Sequence, residues 1–275
     1  MNQSNPLKQY FRRPVLYVKL PSGGNGYPMG TLDIPANGEL PVFPMTAIDE
    51  ITSKTPDALF NGTAVVEIIK SCVPSIKDPW AMPSVDLDAV LIAIKSASSE
   101  GEMDVETLCP KCGDSAKYDV NLSMLLRNIS AAGFNKEINV GDLLFKFKPL
   151  TYAQVNKTNT IQFELQRKLS NIREIEDEDT RNEETGKILS VVNDMAMNSL
   201  IDTIEYIKTS EVVVTEREFI TEFLRNCDRN IYNKVKELNI SVRNDSEMKP
   251  IHIKCNACEH EYDQPLNLNF SDFFV

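Results

Sequence analysis

Apolar residues along this chain follow two rhythms. Up to about residue 150 they come in short runs broken by Pro and Gly. From 151 to 240 prolines vanish and apolar residues recur at helical spacing. In the first part, Val15-Leu16-Tyr17-Val18-Lys19-Leu20 predicts a strand and Pro21-Ser22-Gly23-Gly24-Asn25-Gly26 a flexible loop. Leu40-Pro41-Val42-Phe43 predicts a second strand, which Pro41 and Pro44 confine to a sheet edge. Thr46 predicts the N-cap of a helix over 47–53, and Pro56 opens another that Asn61-Gly62 ends. Val65, Val66, Ile68, Ile69 and Cys72 share one helical face. Ser84 predicts the cap of a helix that buries Val85, Leu87, Val90, Leu91 and Ile94. Residues 122–129 read as helix, and 138–140 with 143–147 as a hairpin turning at Gly141-Asp142.

In the second part, Ile161, Leu165, Leu169 and Ile172 form one stripe. Ile188, Val191, Val192, Met195, Leu200, Ile201, Ile204 and Ile207 form another. Thr215-Glu216-Arg217-Glu218 predicts a capping box that launches a third helix through Phe219, Phe223 and Leu224; a fourth covers 230–238. Such stripes predict the core of a small bundle, with a share left for a partner helix. The acidic run Glu174, Glu176, Asp177, Glu178, Asp179, Glu183, Glu184 reads as a solvated loop between helices. Its spacing lacks the central Gly of an EF-hand calcium loop. The tail ends Phe270, Phe273, Phe274, Val275, aromatics that either pack back on the body or anchor in a neighbour.

Charge narrows the function classes. Lys and Arg number 29 against 40 Asp and Glu, a net charge of −11, which argues against a broad nucleic-acid or anionic-membrane surface. No run approaches the ~20 apolar residues of a membrane span. The polar opening Met1–Pro6 lacks the apolar stretch of a signal peptide, so synthesis in a reducing cytoplasm is expected. No Walker or Rossmann glycine pattern and no nucleophile elbow occurs, and His252 and His260 are the two histidines. The chain therefore reads as a non-enzyme.

The candidate chemistry lies in two Cys-x-x-Cys pairs, Cys109-Pro110-Lys111-Cys112-Gly113 and Cys255-Asn256-Ala257-Cys258. Each presents two sulfurs from a tight turn, and each is followed by a short strand opening with Tyr-Asp (Tyr118-Asp119, Tyr262-Asp263). Four thiolates fill the tetrahedron of a structural Zn2+, so Cys109, Cys112, Cys255 and Cys258 are the expected metal ligands. Pro110 stiffens the first turn and Gly113 can take positive φ; the second turn has neither residue. Lys111, Lys117 and Lys254 flank the pairs and can offset thiolate charge. Two separate ions, with His252 or His260 added to the second pair, four metal-free thiols and a redox pair remain alternatives. A redox Cys-Pro-x-Cys normally caps a helix, however, and here a strand follows. Cys72 and Cys227 read as small core residues in helical patterns. The expected fold is α+β: a zinc-ribbon-like four-cysteine site closing an α+β body, with a helical insertion. Its parts are 1–108, an N-terminal α+β region; 109–150, the first knuckle and hairpin; 151–240, the helical insertion; and 241–275, the second knuckle and aromatic tail.

A set of motifs carries a resemblance. These are Leu20-Pro21-Ser22-x-Gly24, Pro44-Met45-Thr46-Ala47-x-Asp49-Glu50, Pro56-Asp57-Ala58-Leu59-x-Asn61-Gly62, Cys72 with Asp78-Pro79, Asp86, and Cys109-Pro110-x-Cys112-Gly113. Over roughly residues 14–125 the chain resembles the baseplate hub proteins of contractile-tailed, T-even-type bacteriophages. The resemblance implies a structural part in building the central hub of the tail baseplate, with no catalytic residues. Implied partners are other baseplate hub proteins and the tail tube initiator or tape-measure protein, with no nucleic acid and no membrane. The implied location is the virion. A tail-assembly chaperone absent from the virion is the alternative, and a zinc-ribbon nucleic-acid binder the weaker one.

Overall fold

The computed structural model describes residues 5–55, 61–99, 101–129, 132–172, 177–245 and 248–265. Along these, a 3-10 turn over Pro6–Tyr10 precedes β1 (Leu16–Val18), β2 (Leu40–Val42), α1 (Ala47–Ser53), α2 (Thr63–Cys72) and α3 (Ser84–Ser98). Next come β3 (Glu102–Leu108), β4 (Ser115–Asn121), α4 (Leu122–Asn128), a 3-10 turn over Ala132–Asn135, β5 (Glu137–Val140) and β6 (Leu143–Phe147). The helices α5 (Tyr152–Ile172) and α6 (Glu178–Asp202) lead to β7 (Ile204–Lys208), β8 (Val213–Val214), α7 (Arg217–Asn226) and α8 (Arg229–Asn244). The strands β9 (Ile251–Lys254) and β10 (Glu261–Gln264) follow. Every strand pairing among the described residues is antiparallel, and helices and sheets are segregated, so the fold is α+β. The chain divides into two compact units: Met1–Ala81, Val85–Ile129 and Met248–Val275 form one, Met82–Ser84 and Ser130–Glu247 the other.

The core of the first unit is built on α2 and α3. Ala64, Val65, Val66, Ile68, Ile69 and Cys72 of α2 are buried, as the apolar face predicts. On α3 burial extends past the predicted stripe to Ala89, Ile92, Ala93 and the carboxylate of Asp86, so this helix is enclosed nearly all round. Asp86 accepts hydrogen bonds from the Ser22 N–H (2.8 Å) and the Ser22 Oγ–H (2.5 Å). Burial pushes its carboxyl up despite these bonds. The glycine-rich loop is thus tied to the core through Ser22. Within it, Gly24 sits at φ +87°, and a Cβ there would land 2.2 Å from Ile34 Cδ1, so no other residue fits without movement.

Thr46 caps α1 as predicted, and Asp49 completes a capping box with it. The Asp49 N–H donates to Thr46 Oγ1 (3.2 Å), and the Thr46 N–H to Asp49 Oδ2 (2.7 Å). The same Oδ2 receives the Ser71 hydroxyl of α2 (3.0 Å) and Arg12 Nη1 (3.3 Å). Arg12 Nη2 donates to the Ser71 carbonyl (2.7 Å), and its guanidinium lies 5.8 Å from the Phe43 ring centroid. One buried carboxylate therefore joins the residues before β1 to α1 and α2.

In the second unit the sheet order is β5-β6-β7-β8. The β5–β6 hairpin turns at Gly141-Asp142 as predicted. The stripe assigned to a helix through Ile207 breaks at Thr203, and Ile204 and Ile207 lie in β7 instead. The cause of the misreading is a β-bulge. Phe145 faces Ile207 and Lys146 faces Tyr206, but Phe147 faces Ile204, which leaves Glu205 as the extra residue. In a regular strand, residues three apart point to opposite faces. The bulge returns both isoleucines to the buried side, with Phe145 and Phe147. Their spacing of three imitates a helix.

Three further expectations change. The helix α7 starts at Arg217 with Glu216 in the cap position and no side-chain capping bond, so the Thr215–Glu218 box does not form. The Glu216 carboxylate instead accepts the Thr215 N–H (3.1 Å), and Arg217 pairs with Asp202 (2.9 Å). Asp177 caps α6 through the Thr180 N–H (2.8 Å), and Glu178, Asp179, Glu183 and Glu184 are helical rather than loop. Carboxylates suit that end of the helix dipole. Cys227 ends α7, half-buried, rather than lying inside a helix. The helix expected after Pro56, Glu174 and Glu176 of the acidic run, and the tail residues Phe270, Phe273, Phe274 and Val275 lie outside the described residues.

Replacing Asp86 by Ala leaves the Ser22 donors without their buried acceptor. We expect a loss of about 2–3 kcal/mol in urea unfolding. An unchanged midpoint would mean the Asp86–Ser22 pair contributes nothing to holding the loop.

Candidate metal centre

Each cysteine pair occupies the turn of a β-hairpin. Cys109 and Cys112 connect β3 to β4, which pair from Glu102↔Asn121 to Leu108↔Ser115. Cys255 and Cys258 connect β9 to β10, which pair from Ile251↔Gln264 to Lys254↔Glu261. The strand after each knuckle was expected. The strand before each was missed, although Met103, Val105 and Thr107 alternate with Asp104, Glu106 and Leu108 in the period of a strand, and Ile251 and Ile253 do the same.

The two turns have the same backbone. The N–H of Cys109 donates to Asp114 O and that of Cys255 to His260 O, both at 2.9 Å. The N–H of Gly113 donates to Cys109 O and that of Glu259 to Cys255 O, again both at 2.9 Å. Gly113 takes φ 73° and Glu259 φ 57°. Glu259 is the only non-glycine residue with positive φ among the described residues. The second turn thus forms without the glycine of the first, at a backbone cost of about 1–2 kcal/mol.

The hairpins bring all four sulfurs together. Cys109 Sγ and Cys258 Sγ are 3.8 Å apart, Cys112 Sγ and Cys255 Sγ 3.7 Å, and the four lie within 4.8 Å of one another. A tetrahedral ion with metal–sulfur bonds of about 2.3 Å has sulfur–sulfur edges of about 3.8 Å. The arrangement could hold a metal ion. It is the only group of Cys, His, Asp and Glu with that property among the described residues. His252 and His260 stand apart from it: His252 Nδ1 is 3.0 Å from Asp263 Oδ1, and the His260 ring stacks on Tyr262.

Crowding sets the acidity of the thiols. Desolvation pushes Cys109 up, but hydrogen bonds from the backbone N–H groups of Cys112 and Lys111 and from the neighbouring thiols bring it down to about 7. For Cys112, a bond from the Asp114 N–H pulls down. Sharing with Cys258, desolvation, and sharing with Cys109 and Cys255 outweigh it and push the thiol up to about 12. Thiolates this close repel one another. A full set of four thiolates needs a cation among them.

Two side chains join the hairpins beside the sulfurs. Thr107 Oγ1 of β3 donates to Gln264 Oε1 of β10 at 2.6 Å. Burial pushes the Tyr118 phenol of β4 up, against a hydrogen bond from the Asn256 N–H of the second turn. Lys254 reaches Glu259 at 3.7 Å on the exposed side.

The paired turns give opposite responses to opposite substitutions. Gly113→Ala forces a side chain into left-handed backbone and lowers stability by about 1 kcal/mol, whereas Glu259→Gly relieves that strain and is neutral or stabilising. Thermal melts of both variants check this; equal losses would contradict the shared geometry.

No helix among the described residues is long and apolar enough to cross a membrane. A comparison with curated proteins and one with solved structures find no match. A comparison with protein families matches residues 38–275 to the family described as T4 bacteriophage base plate protein. That span holds both cysteine pairs and everything between them. It takes in the motifs from Pro44 to Gly113 and runs on across the intervening helices and the second knuckle, as a baseplate protein. A baseplate protein works in the tail of the virion, in contact with other tail proteins, and such a family points away from catalysis. With most of its length inside the match, this chain belongs to the T4 bacteriophage base plate protein family.

Proposed function

We propose that the chain is a structural component of the central hub of the phage baseplate, acting by protein–protein contact during tail assembly. We also propose that one Zn2+ held by Cys109, Cys112, Cys255 and Cys258 closes its fold. Family membership over residues 38–275 carries the first reading. The hub itself rests on the N-terminal motifs from Leu20 to Gly113. Partners on this reading are other hub proteins, the tail tube initiator or the tape-measure protein.

The metal reading rests on the sulfur tetrahedron. Four soft thiolates at edges of 3.7 and 3.8 Å suit a zinc ion of structural type, with no position left for water or substrate. When bound, the ion supplies cross-linking and no chemistry of reaction. The protein's part is to aim the sulfurs from two rigid hairpins, with backbone N–H groups directed at Cys109 and Cys112. We read 109–150 and 241–275 as the two halves of this closure and 151–240 as the segment that carries partner contacts.

Two measurements test these readings separately. Elemental analysis of the purified protein should give one zinc per chain. Cys112→Ser or Cys258→Ser should cost several kcal/mol of stability, because metal binding contributes folding free energy. Wild-type melting of each variant would remove shared ligation. For the function, mass spectrometry of purified particles should find the chain at fixed stoichiometry in the baseplate. Its absence from particles, with tails failing to form when the gene is deleted, would instead favour a non-virion assembly chaperone.

A further inference from the structure

Asparagine followed by glycine is chemically labile, because no side chain hinders the glycine nitrogen from attacking the asparagine carboxamide. The chain holds three such pairs: Asn25-Gly26, Asn37-Gly38 and Asn61-Gly62. All three asparagines are exposed, so burial and hydrogen bonding of the glycine and the carboxamide decide which one reacts.

Two of the pairs are protected. The Gly38 N–H, the nucleophile for Asn37, donates to Pro35 O at 2.8 Å. Asn37 Oδ1 accepts the Glu39 N–H at 3.2 Å, which fixes the carboxamide. Gly62 is buried and caps α2 with φ 79°. Asn61 Oδ1 accepts the Thr63 N–H (3.0 Å) and the Thr63 hydroxyl (2.7 Å), which tie the side chain to the first turn of that helix. The first pair lacks this protection. Gly26 is exposed at φ 89°, and its N–H meets no acceptor among the described residues. Asn25 Nδ2 donates to Ser22 O at 2.9 Å, and no donor among the described residues reaches Asn25 Oδ1.

We propose that Asn25 is a site of spontaneous covalent modification that unfastens the glycine-rich loop from Asp86. Hydroxide takes the Gly26 N–H proton, and the nitrogen attacks Asn25 Cγ. The new C–N bond closes a succinimide ring as the bond from Cγ to Nδ2 breaks; Nδ2 takes up a proton and leaves as ammonia. Water opens the ring at either carbonyl, leaving aspartate, or isoaspartate with the main chain routed through the side-chain carbonyl. No other reactant is needed.

The products disturb the loop in two ways. The amide that donated to Ser22 O becomes a carboxylate, which repels that carbonyl. Its charge falls three residues from Ser22, whose N–H (2.8 Å) and Oγ–H (2.5 Å) hold the buried Asp86 carboxylate. Isoaspartate also lengthens the backbone by one methylene, in a loop where Gly24 leaves no room for a Cβ against Ile34 Cδ1. The inference rests on neither the hub reading nor the metal.

Peptide mapping by mass spectrometry tests it on the purified full-length chain, aged at neutral and at mildly alkaline pH. Asn25 should convert first, and faster at the higher pH. Asn37 should lag by about fivefold to tenfold, the rate equivalent of the one hydrogen bond that its nucleophile must break. In urea the three pairs should react at similar rates, because folding no longer distinguishes them. Aged protein should unfold at lower urea than fresh protein, whereas aged Asn25→Gln, whose longer side chain closes the ring poorly, should keep its midpoint. Conversion of Asn37 or Asn61 first in the folded chain would overturn the site. So would an Asn25 that stays intact in the folded chain while the unfolded chain converts. Converted protein with an unchanged midpoint would overturn the release of the loop.

Discussion

Cys112 and Cys255 are 143 residues apart in sequence, yet their sulfurs lie 3.7 Å apart. The sulfur cluster depends on bringing these two hairpins together. A flexible loop of that length resists closure, though the resistance grows only with the logarithm of length. The second unit removes most of the remaining problem. Its exit helix α8 packs against β5 and the 3-10 turn over Ala132–Asn135, the elements by which the chain enters it. Packing of its first and last elements against each other shortens the loop that the knuckles must close.

The same logic explains why the knuckles can differ in sequence while agreeing in backbone. Local preference favours the first turn, where Pro110 and Gly113 suit the geometry. In the second, Glu259 takes a conformation that side chains normally avoid. The cost is about 1–2 kcal/mol, small beside what a four-sulfur metal site contributes. Tertiary demand from the sulfur cluster overrides local preference at this residue, as buried contacts commonly override propensity elsewhere.

What was legible in the sequence follows from that hierarchy. The four cysteines, the Tyr-Asp strands, the Thr46 cap and one apolar face of α3 could be read because each is encoded within a few neighbouring residues. The strands before each knuckle could also have been read from their alternation, which metal-ligand spacing had overshadowed. Ile204 and Ile207 could not. Their phase is set by a bulge against β6, which lies 62 residues upstream at Phe145↔Ile207 and 57 at Phe147↔Ile204 and meets β7 only through tertiary pairing. Asp49 belongs with these. A capping residue was legible, but not that its carboxylate would also receive Arg12 and Ser71.

Polar and apolar groups are settled differently in the two units, and this bears on how a baseplate component works. In the first unit the buried charges are answered within the chain: Asp49 by Arg12, Thr46 and Ser71, and Asp86 by Ser22. In the second, the sheet and the base of α6 are answered likewise. Asn239 of α8, for example, donates to Thr203 Oγ1 at 2.8 Å. The α5–α6 hairpin differs in its apolar groups, since Leu169, Leu189, Val191 and Val192 stay exposed there. Surface of this kind costs solubility in an isolated protein and gains contact area in an assembly.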